Sequence, residues 1–388
     1  MPIRNRLAEL HPEITKWRRH LHENPELMYE VHETAAFVVD RLKEMGVDEI
    51  TPGIGKTGVV AVIKGKTDTS GKVIGLRADM DALPIPEASG VDYASKNPGV
   101  MHACGHDGHT SILLGAAKYL AETRNFDGTA VLIFQPAEEG GAGGKAMCDD
   151  GLMDRWNIQE VYGLHNSPGI PTGQFAIRPG ALLASSDEFE ITVTGKGGHA
   201  AAPHEAIDTT LVASQIVVSL QSVVSRNVDP IKRVVLTVGT FNTDSNASNV
   251  IAHTAVLQGT VRTLDAECRA MAEERVRAIA QNTAAAFGAT AELVWTPGYP
   301  VTFNHAEQTA FAAEAARSVA GDVDDDVDPI LPAEDFAYML EERPGAYIFL
   351  GNGDSAMCHH PAYVFDDEAI PAGSSWFVEL VERGMSAA

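Results

Sequence analysis

The chain has 388 residues, 45% hydrophobic and 21% charged, a globular composition in a length greater than one compact domain usually holds. Its net charge of −24 argues against nucleic-acid binding and adhesion to anionic membranes, since both need a basic face. The acidic surface reads as a solvated, self-repelling coat that favours solubility.

Four cysteines, Cys104, Cys148, Cys268 and Cys358, are too few for a disulfide framework and suit a reducing compartment. The start, Met1-Pro2-Ile3-Arg4-Asn5-Arg6, lacks the apolar core of a signal peptide, and no apolar run approaches the ~20 residues of a membrane span. A cytoplasmic protein is the expectation.

In chain order, Ile3 to Leu21 carries apolar residues at helical spacing (Ile3, Leu7, Leu10, Ile14, Trp17, Leu21) and runs into a loop at His22–Pro25. A second helix is expected over Val31–Met45, stopped by Gly46. Strands follow at Val59–Lys64 and Val73–Ala78. The latter leads into Asp79-Met80-Asp81, whose two carboxylates leave the same side of an extended chain. They are either solvated loop charges or carboxylates that orient a ligand or a base.

Between Met101 and Thr110 lie His102, Cys104, His106, Asp107 and His109. Cys and His bind borderline metals, and Cys104 and His106 flank a single glycine, so both can face one centre. The competing reading is a polar loop capping the helix Ser111–Glu122, with Asp107 or Thr110 near the N-cap. Thr129–Gln135 is a continuous apolar run, as expected of a strand buried on both faces, and ends at Pro136-Ala137-Glu138-Glu139. Val161–Leu164 is a further strand, ending at His165-Asn166. Ligands gather beyond the C-terminal ends of strands in open α/β sheets. Asp79, Asp81, Glu138, Glu139 and His165 are therefore expected along one edge.

From Ser185 the texture changes. Glu188–Thr194 alternates, and a glycine-rich loop, Gly195–His204, follows. Helix Asp208–Ser225, strands Val234–Phe241 and Val250–Arg262, helix Glu267–Phe287 and strand Thr290–Trp295 give the order of a ferredoxin-like unit. The expected organisation is a first part at 1–184, an inserted domain at 185–296 and a resumed first domain at 297–388. The last part carries helix His305–Ala320, an acidic loop Gly321–Asp328, strand Pro329–Leu331 and helix Asp335–Glu342. Strand Ala346–Gly351, a His359-His360 loop and a final helix Ala369–Arg383 follow.

These segments together resemble the aminoacylase, hippurate hydrolase and auxin-conjugate hydrolase branch of the dinuclear metallo-amidohydrolases, related to co-catalytic zinc carboxypeptidases. The resemblance covers essentially the whole chain. It rests on RADMDALP (Arg77–Pro84), MHACGHDGH (Met101–His109), QPAEEG (Gln135–Gly140), GLHN (Gly163–Asn166), GKGGHAAAPH (Gly195–His204), SNVIA (Ser248–Ala252) and CHHPAYVFDD (Cys358–Asp367). It implies an α/β fold: a phosphorylase/hydrolase-like catalytic domain with a central mixed β-sheet, plus an inserted ferredoxin-like α+β lid domain that serves dimerisation.

The resemblance further implies two divalent metal ions per subunit, about 3.5–4 Å apart. Cys104, His106, Glu139, His165 and His359 would be the ligands, His359 being preferred to His360 because Pro361 fits a His-x-Pro pattern. The carboxypeptidase clan has His-x-Asp where this chain has Asp79-Met80-Asp81, so that first ligand is missing and Cys104 and His106 take its place. Sulfur favours zinc and manganese prefers oxygen, so zinc or manganese is expected, with cobalt or nickel as alternatives. Glu138 would be the general base that passes a proton from water to the leaving amine, with Asp81 beside it as an orienting carboxylate. His199 would reach an active site from the inserted domain, often that of the partner subunit, and hydrogen-bond the developing oxyanion. Asn249 and Arg262 resemble the pair that holds a substrate carboxylate.

The expected reaction is hydrolysis of the amide of a small N-acyl amino acid by a homodimer or higher homo-oligomer. The alternatives are a metallo-dipeptidase or carboxypeptidase on the same scaffold, and a non-catalytic metal- or ligand-binding protein.

Overall fold

Strand Thr129–Gln135 lies between Gly58–Lys64, its antiparallel neighbour, and Val73–Asp79, its parallel one. Both faces are covered, which is why Ala130 to Phe134 are apolar without alternation and fully buried. The computed structural model describes residues 5–387; the helix start expected at Ile3 and the reading of Met1–Arg4 lie outside them. The chain divides into two compact units.

The first unit comprises Met1–Leu182, Phe303–Asp328 and Asp335–Ala388. Its eight-stranded sheet has the order Glu49–Ile54, Gly58–Lys64, Thr129–Gln135, Val73–Asp79, Glu160–Ser167, Gly345–Gly351, Phe175–Ala176, Val323–Asp324. The four strands from Thr129–Gln135 to Gly345–Gly351 run parallel, and antiparallel strands complete a mixed sheet. Helices Asn5–Glu23, His106–Thr123 and Ile370–Gly384 contribute Leu10, Ile14, Leu113, Trp376 and Phe377 to one apolar cluster with Leu76, Leu132 and Ile348 from the strands. The helices approach closely at Gly115, where a Cβ would come within 2.7 Å of both Ile14 and Ser374. Among the described residues no helix is long and apolar enough to cross a membrane.

Three local expectations need correction. The helix expected at Ser111 starts at His106, inside the Cys/His segment, with Gly105 as its N-cap. Strand Glu160–Ser167 runs past Leu164, so His165 and Asn166 are strand residues. Pro329–Leu331 forms no strand; only a single bridge joins Leu183 to Ile330. Strand Glu49–Ile54 went unforeseen because Pro52 and Gly53 break its pattern.

The second unit comprises Leu183–Thr302 and Pro329–Glu334, wider than the expected 185–296. The short segment is tied in by the bridge to Leu183 and by the Ala184 N–H donated to the Pro332 carbonyl. Its sheet has the order Val234–Thr243, Thr254–Thr263, Ser185–Thr194, Thr290–Pro297, with every neighbouring pair antiparallel. Helices Thr209–Ser222 and Ala266–Ala286 bury Val212, Ile216, Ala272 and Val276 with Phe189, Ile191 and Val193. Their N-termini are capped by Asp208 and Asp265. The single strand expected over Val250–Arg262 is broken: Val250–Ile251 pairs with Gly198–His199, and only Thr254–Thr263 joins the main sheet.

Candidate metal centre

Three parallel strands deliver their C-terminal ends to one place. Val73–Asp79 leads to Asp79 and Asp81, Thr129–Gln135 to Glu138 and Glu139, and Glu160–Ser167 carries His165. The N-terminus of helix His106–Thr123 brings His106, and the loop before it Cys104. Asp81 joins two of these arms. Its Oδ1 accepts from the Glu138 main-chain N–H at 2.9 Å and its Oδ2 from that of Glu139 at 3.1 Å. The same carboxylate stands 3.5 Å from His106 Nδ1. The pair of glutamates follows Ala137, a non-glycine residue in the left-handed region at φ 53; such a conformation costs of order 1–3 kcal/mol and persists where its surroundings dictate it.

Two groups of possible ligand atoms share Cys104. One is Cys104, His106 and His165; the other is Cys104, Glu139 and His359; within each, the atoms lie within 4.8 Å of one another. Cys104 Sγ is 3.4 Å from His165 Nε2, and His359 Nε2 is 3.3 Å from Glu139 Oε1. His165 Nδ1 donates to the Asn166 carbonyl at 2.6 Å, which turns the Nε2 lone pair toward Cys104. The structure thus brings Cys104, His106, Glu139, His165 and His359 together, with Glu138 beside His106 and Glu139. His360 is in none of these groups; its Nδ1 accepts from the Ala362 N–H at 3.0 Å.

The donor set fits divalent ions. Both ring nitrogens of His106 and Oε1 of Glu139 are buried without a hydrogen-bond partner, an arrangement costly unless a cation or proton satisfies them. Burial alone would lower the His106 pKa, but Asp79, Asp81 and Glu139 outweigh it and push it up to about 10. The same carboxylates make the surroundings of this ring favourable to a cation. Burial would raise the Glu139 carboxyl, yet His359 and His106 hold it below its usual value.

Asp79 sits behind this cluster. Burial would raise its pKa, but His106, Arg77 and His109 hold it well below the carboxylate range. Arg77 is buried among Asp79 at 2.7 Å, Gln135 at 2.9 Å and Asp335 at 3.1 Å, so each buried charge has an opposite partner. Sequence reasoning missed Arg77, Gln135, Asp335, Asn166 and Tyr363. All but Asp335 lie inside quoted motifs, but the partners that define their roles are remote in sequence.

In the second unit, His199 is exposed, and Val250, the residue after Asn249, is its strand partner. Its Nδ1 accepts from the Ala201 N–H at 3.1 Å. His199 and Asn249 line one open hollow of about 580 Å³. Arg262 is not part of it. Thr254 pairs across Thr194, whereas Arg262 pairs across Ser186, so roughly 25 Å of extended strand separates the two ends. Asn249 thus precedes one end of this strand and Arg262 lies near the other.

The sequence matches the profile of peptidase family M20/M25/M40 over residues 75–383. It is 44% identical to an N-acetyl-L-cysteine deacetylase of Bacillus subtilis (strain 168), over 97% of this chain and 89% of that protein. It is 43% identical to a hippurate hydrolase of Campylobacter jejuni, over 96% of this chain and 97% of that one. A solved dinuclear metal-binding peptidase of family M20 from Bacillus subtilis superposes with a TM-score of 0.86 at 35% identity, covering 98% of this chain and all of that one (100%).

Proposed function

The chain belongs to peptidase family M20/M25/M40, and from that premise we infer that it is a metal-dependent amidohydrolase of N-acyl amino acids. It cleaves the amide to a carboxylic acid and a free amino acid. The observation that carries this reading is the pair of ligand groups sharing Cys104, with the buried carboxylate of Glu138 against them.

Cys104, His106, Glu139, His165 and His359 would hold two divalent ions, zinc or manganese, with cobalt or nickel as substitutes; the thiolate favours zinc. When bound, such ions would supply Lewis-acid chemistry that favours attack by water at neutral pH. Glu138 takes the proton from the attacking water on its carboxylate and returns it to the leaving nitrogen. Asp81 fixes the glutamate pair through both main-chain N–H groups and steadies the His106 ring.

The second unit is read as an inserted lid and dimerisation domain with a ferredoxin-like strand order, and the protein as a homodimer or higher homo-oligomer. Supporting this, strand Val234–Thr243 is an edge strand that exposes Val235 and Phe241, and helix Thr209–Ser222 exposes Leu211 and Val218. The separation of Asn249 from Arg262 favours the same reading, because two copies could supply one residue each to a substrate carboxylate. His199 would donate to the oxyanion. Free thiols at all four cysteines favour the cytoplasm.

The test is a panel of N-acetyl, N-benzoyl and indoleacetyl amino acids, assayed beside unacylated dipeptides. Hydrolysis confined to the acylated compounds is expected. Equal or faster cleavage of free dipeptides would move the assignment to a dipeptidase.

A further inference from the structure

Asn166 follows His165 in strand Glu160–Ser167 and is buried, with its polar atoms engaged on all sides. Its main-chain N–H donates to His109 Nε2 at 2.9 Å, and its carbonyl accepts from His165 Nδ1 at 2.6 Å. Its side-chain Nδ2 donates to the Cys104 carbonyl at 2.6 Å and lies 3.0 Å from His109 Nε2. Its Oδ1 accepts from the Tyr363 hydroxyl at 2.7 Å. One carboxamide therefore joins the Cys104 segment, the His165 strand and the loop that carries His359. The packing leaves no slack: a Cβ at Gly105 would come 2.3 Å from Asn166 Nδ2 and 2.4 Å from the Tyr363 oxygen, and Gly105 has φ 87.

We propose that Asn166 is a positioning residue of the metal centre: with Tyr363 it clamps the Cys104 carbonyl and thereby sets the Cys104 thiol against His165 Nε2. The inference rests on the two-ion reading above. Removing the side chain would free the residue that precedes the N-cap of helix His106–Thr123, so that Cys104 and His106 would drift relative to His165. It would also leave the buried Tyr363 hydroxyl without its acceptor. Aspartate at this position would still accept from Tyr363 but would turn an acceptor toward the Cys104 carbonyl. Asn166→Asp therefore separates the clamp from simple space-filling.

The experiment uses the whole protein reconstituted with Co²⁺, whose thiolate charge-transfer absorption reports on Cys104 and whose affinity is measured by competition with a chromophoric chelator. Partners of metal ligands typically alter affinity ~10–100-fold, so Asn166→Ala and Asn166→Asp are expected to weaken Co²⁺ binding by that factor and to shift the thiolate band. Tyr363→Phe, which keeps the ring, should give a smaller change of the same sign. If Asn166→Ala does not fold, Tyr363→Phe and Asn166→Asp decide. Wild-type affinity and an unshifted band in these folded variants would overturn the role of Asn166 and leave the two-ion reading standing. Wild-type protein that binds no Co²⁺, or binds it without a thiolate band, would overturn both.

Discussion

His109 Nδ1 lies 2.6 Å from Asp79 Oδ1, and its other nitrogen, Nε2, accepts the Asn166 main-chain N–H. An amide N–H can only donate, so Nε2 carries its lone pair there and Nδ1 carries the proton. Neither nitrogen has a lone pair left for a metal, although His109 is as close to the cluster as a ligand would be. Elemental analysis of purified variants should therefore find fewer ions per chain in Cys104→Ser and His106→Ala, and two at saturation in His109→Ala. A Co²⁺ spectrum that shows His109 bound would reverse the roles of the two histidines.

On the proposed mechanism Glu138 would hold the proton in transit and would not be needed to hold either ion. Glu138→Gln should keep the ions and the KM and lose kcat by the ~10²–10⁴-fold expected of a general acid–base group. Near-normal kcat would remove Glu138 from the mechanism.

His22 gives a pH dependence to stability that is separate from activity. Burial and Arg18 would lower its pKa, but Asp107, at 2.8 Å, and Glu87 raise it from 6.5 to about 9. A folded-state pKa above the unfolded value stabilises fully below the unfolded value and loses that contribution as pH rises through the folded one. The stabilisation, on the order of 1–3 kcal/mol, is thus complete below about pH 6.5 and gone above about 9. Urea midpoints measured from pH 6 to 10 should fall across that window in the wild type and much less in His22→Gln. Parallel curves would place the titration elsewhere.

How far the sequence reached depends on the range of the interactions. Strand Thr129–Gln135 was legible residue for residue because double-sided burial writes itself as an apolar run. That Asp79, Glu138 and His165 come from neighbouring parallel strands followed from sheet topology, although His165 lies within its strand and not at its end. Local competition was harder: Cys104 to His109 reads as a loop because its polar side chains hide a helix whose first turn faces an interior cluster. Long-range partnership was illegible, as with Asn166 meeting Tyr363, or Arg77 meeting Asp335. The apolar run over Val250–Arg262 also misled, because Val250–Ile251 pairs with Gly198–His199 and only Thr254–Thr263 joins the main sheet.

If His199 serves the site of a second copy, two inactive variants should complement each other. Mixing His199→Ala with Glu138→Gln protein and allowing subunit exchange would create heterodimers with one site carrying both native groups, and part of the activity should return. His199→Ala alone should lose ~10²–10³ in kcat, the usual cost of one oxyanion donor. No recovery after demonstrated exchange would confine His199 to its own subunit or remove it from the reaction.

The most direct test is a metal titration of the stripped protein. After chelation, hydrolysis of N-benzoylglycine and bound ions are followed together as Zn²⁺ or Mn²⁺ is added. The account predicts no activity at the start, a rise with added ion, and a plateau at two ions per chain that Cys104→Ser does not reach. Full activity in the stripped protein, or two bound ions with no hydrolysis of any N-acyl amino acid, would contradict it.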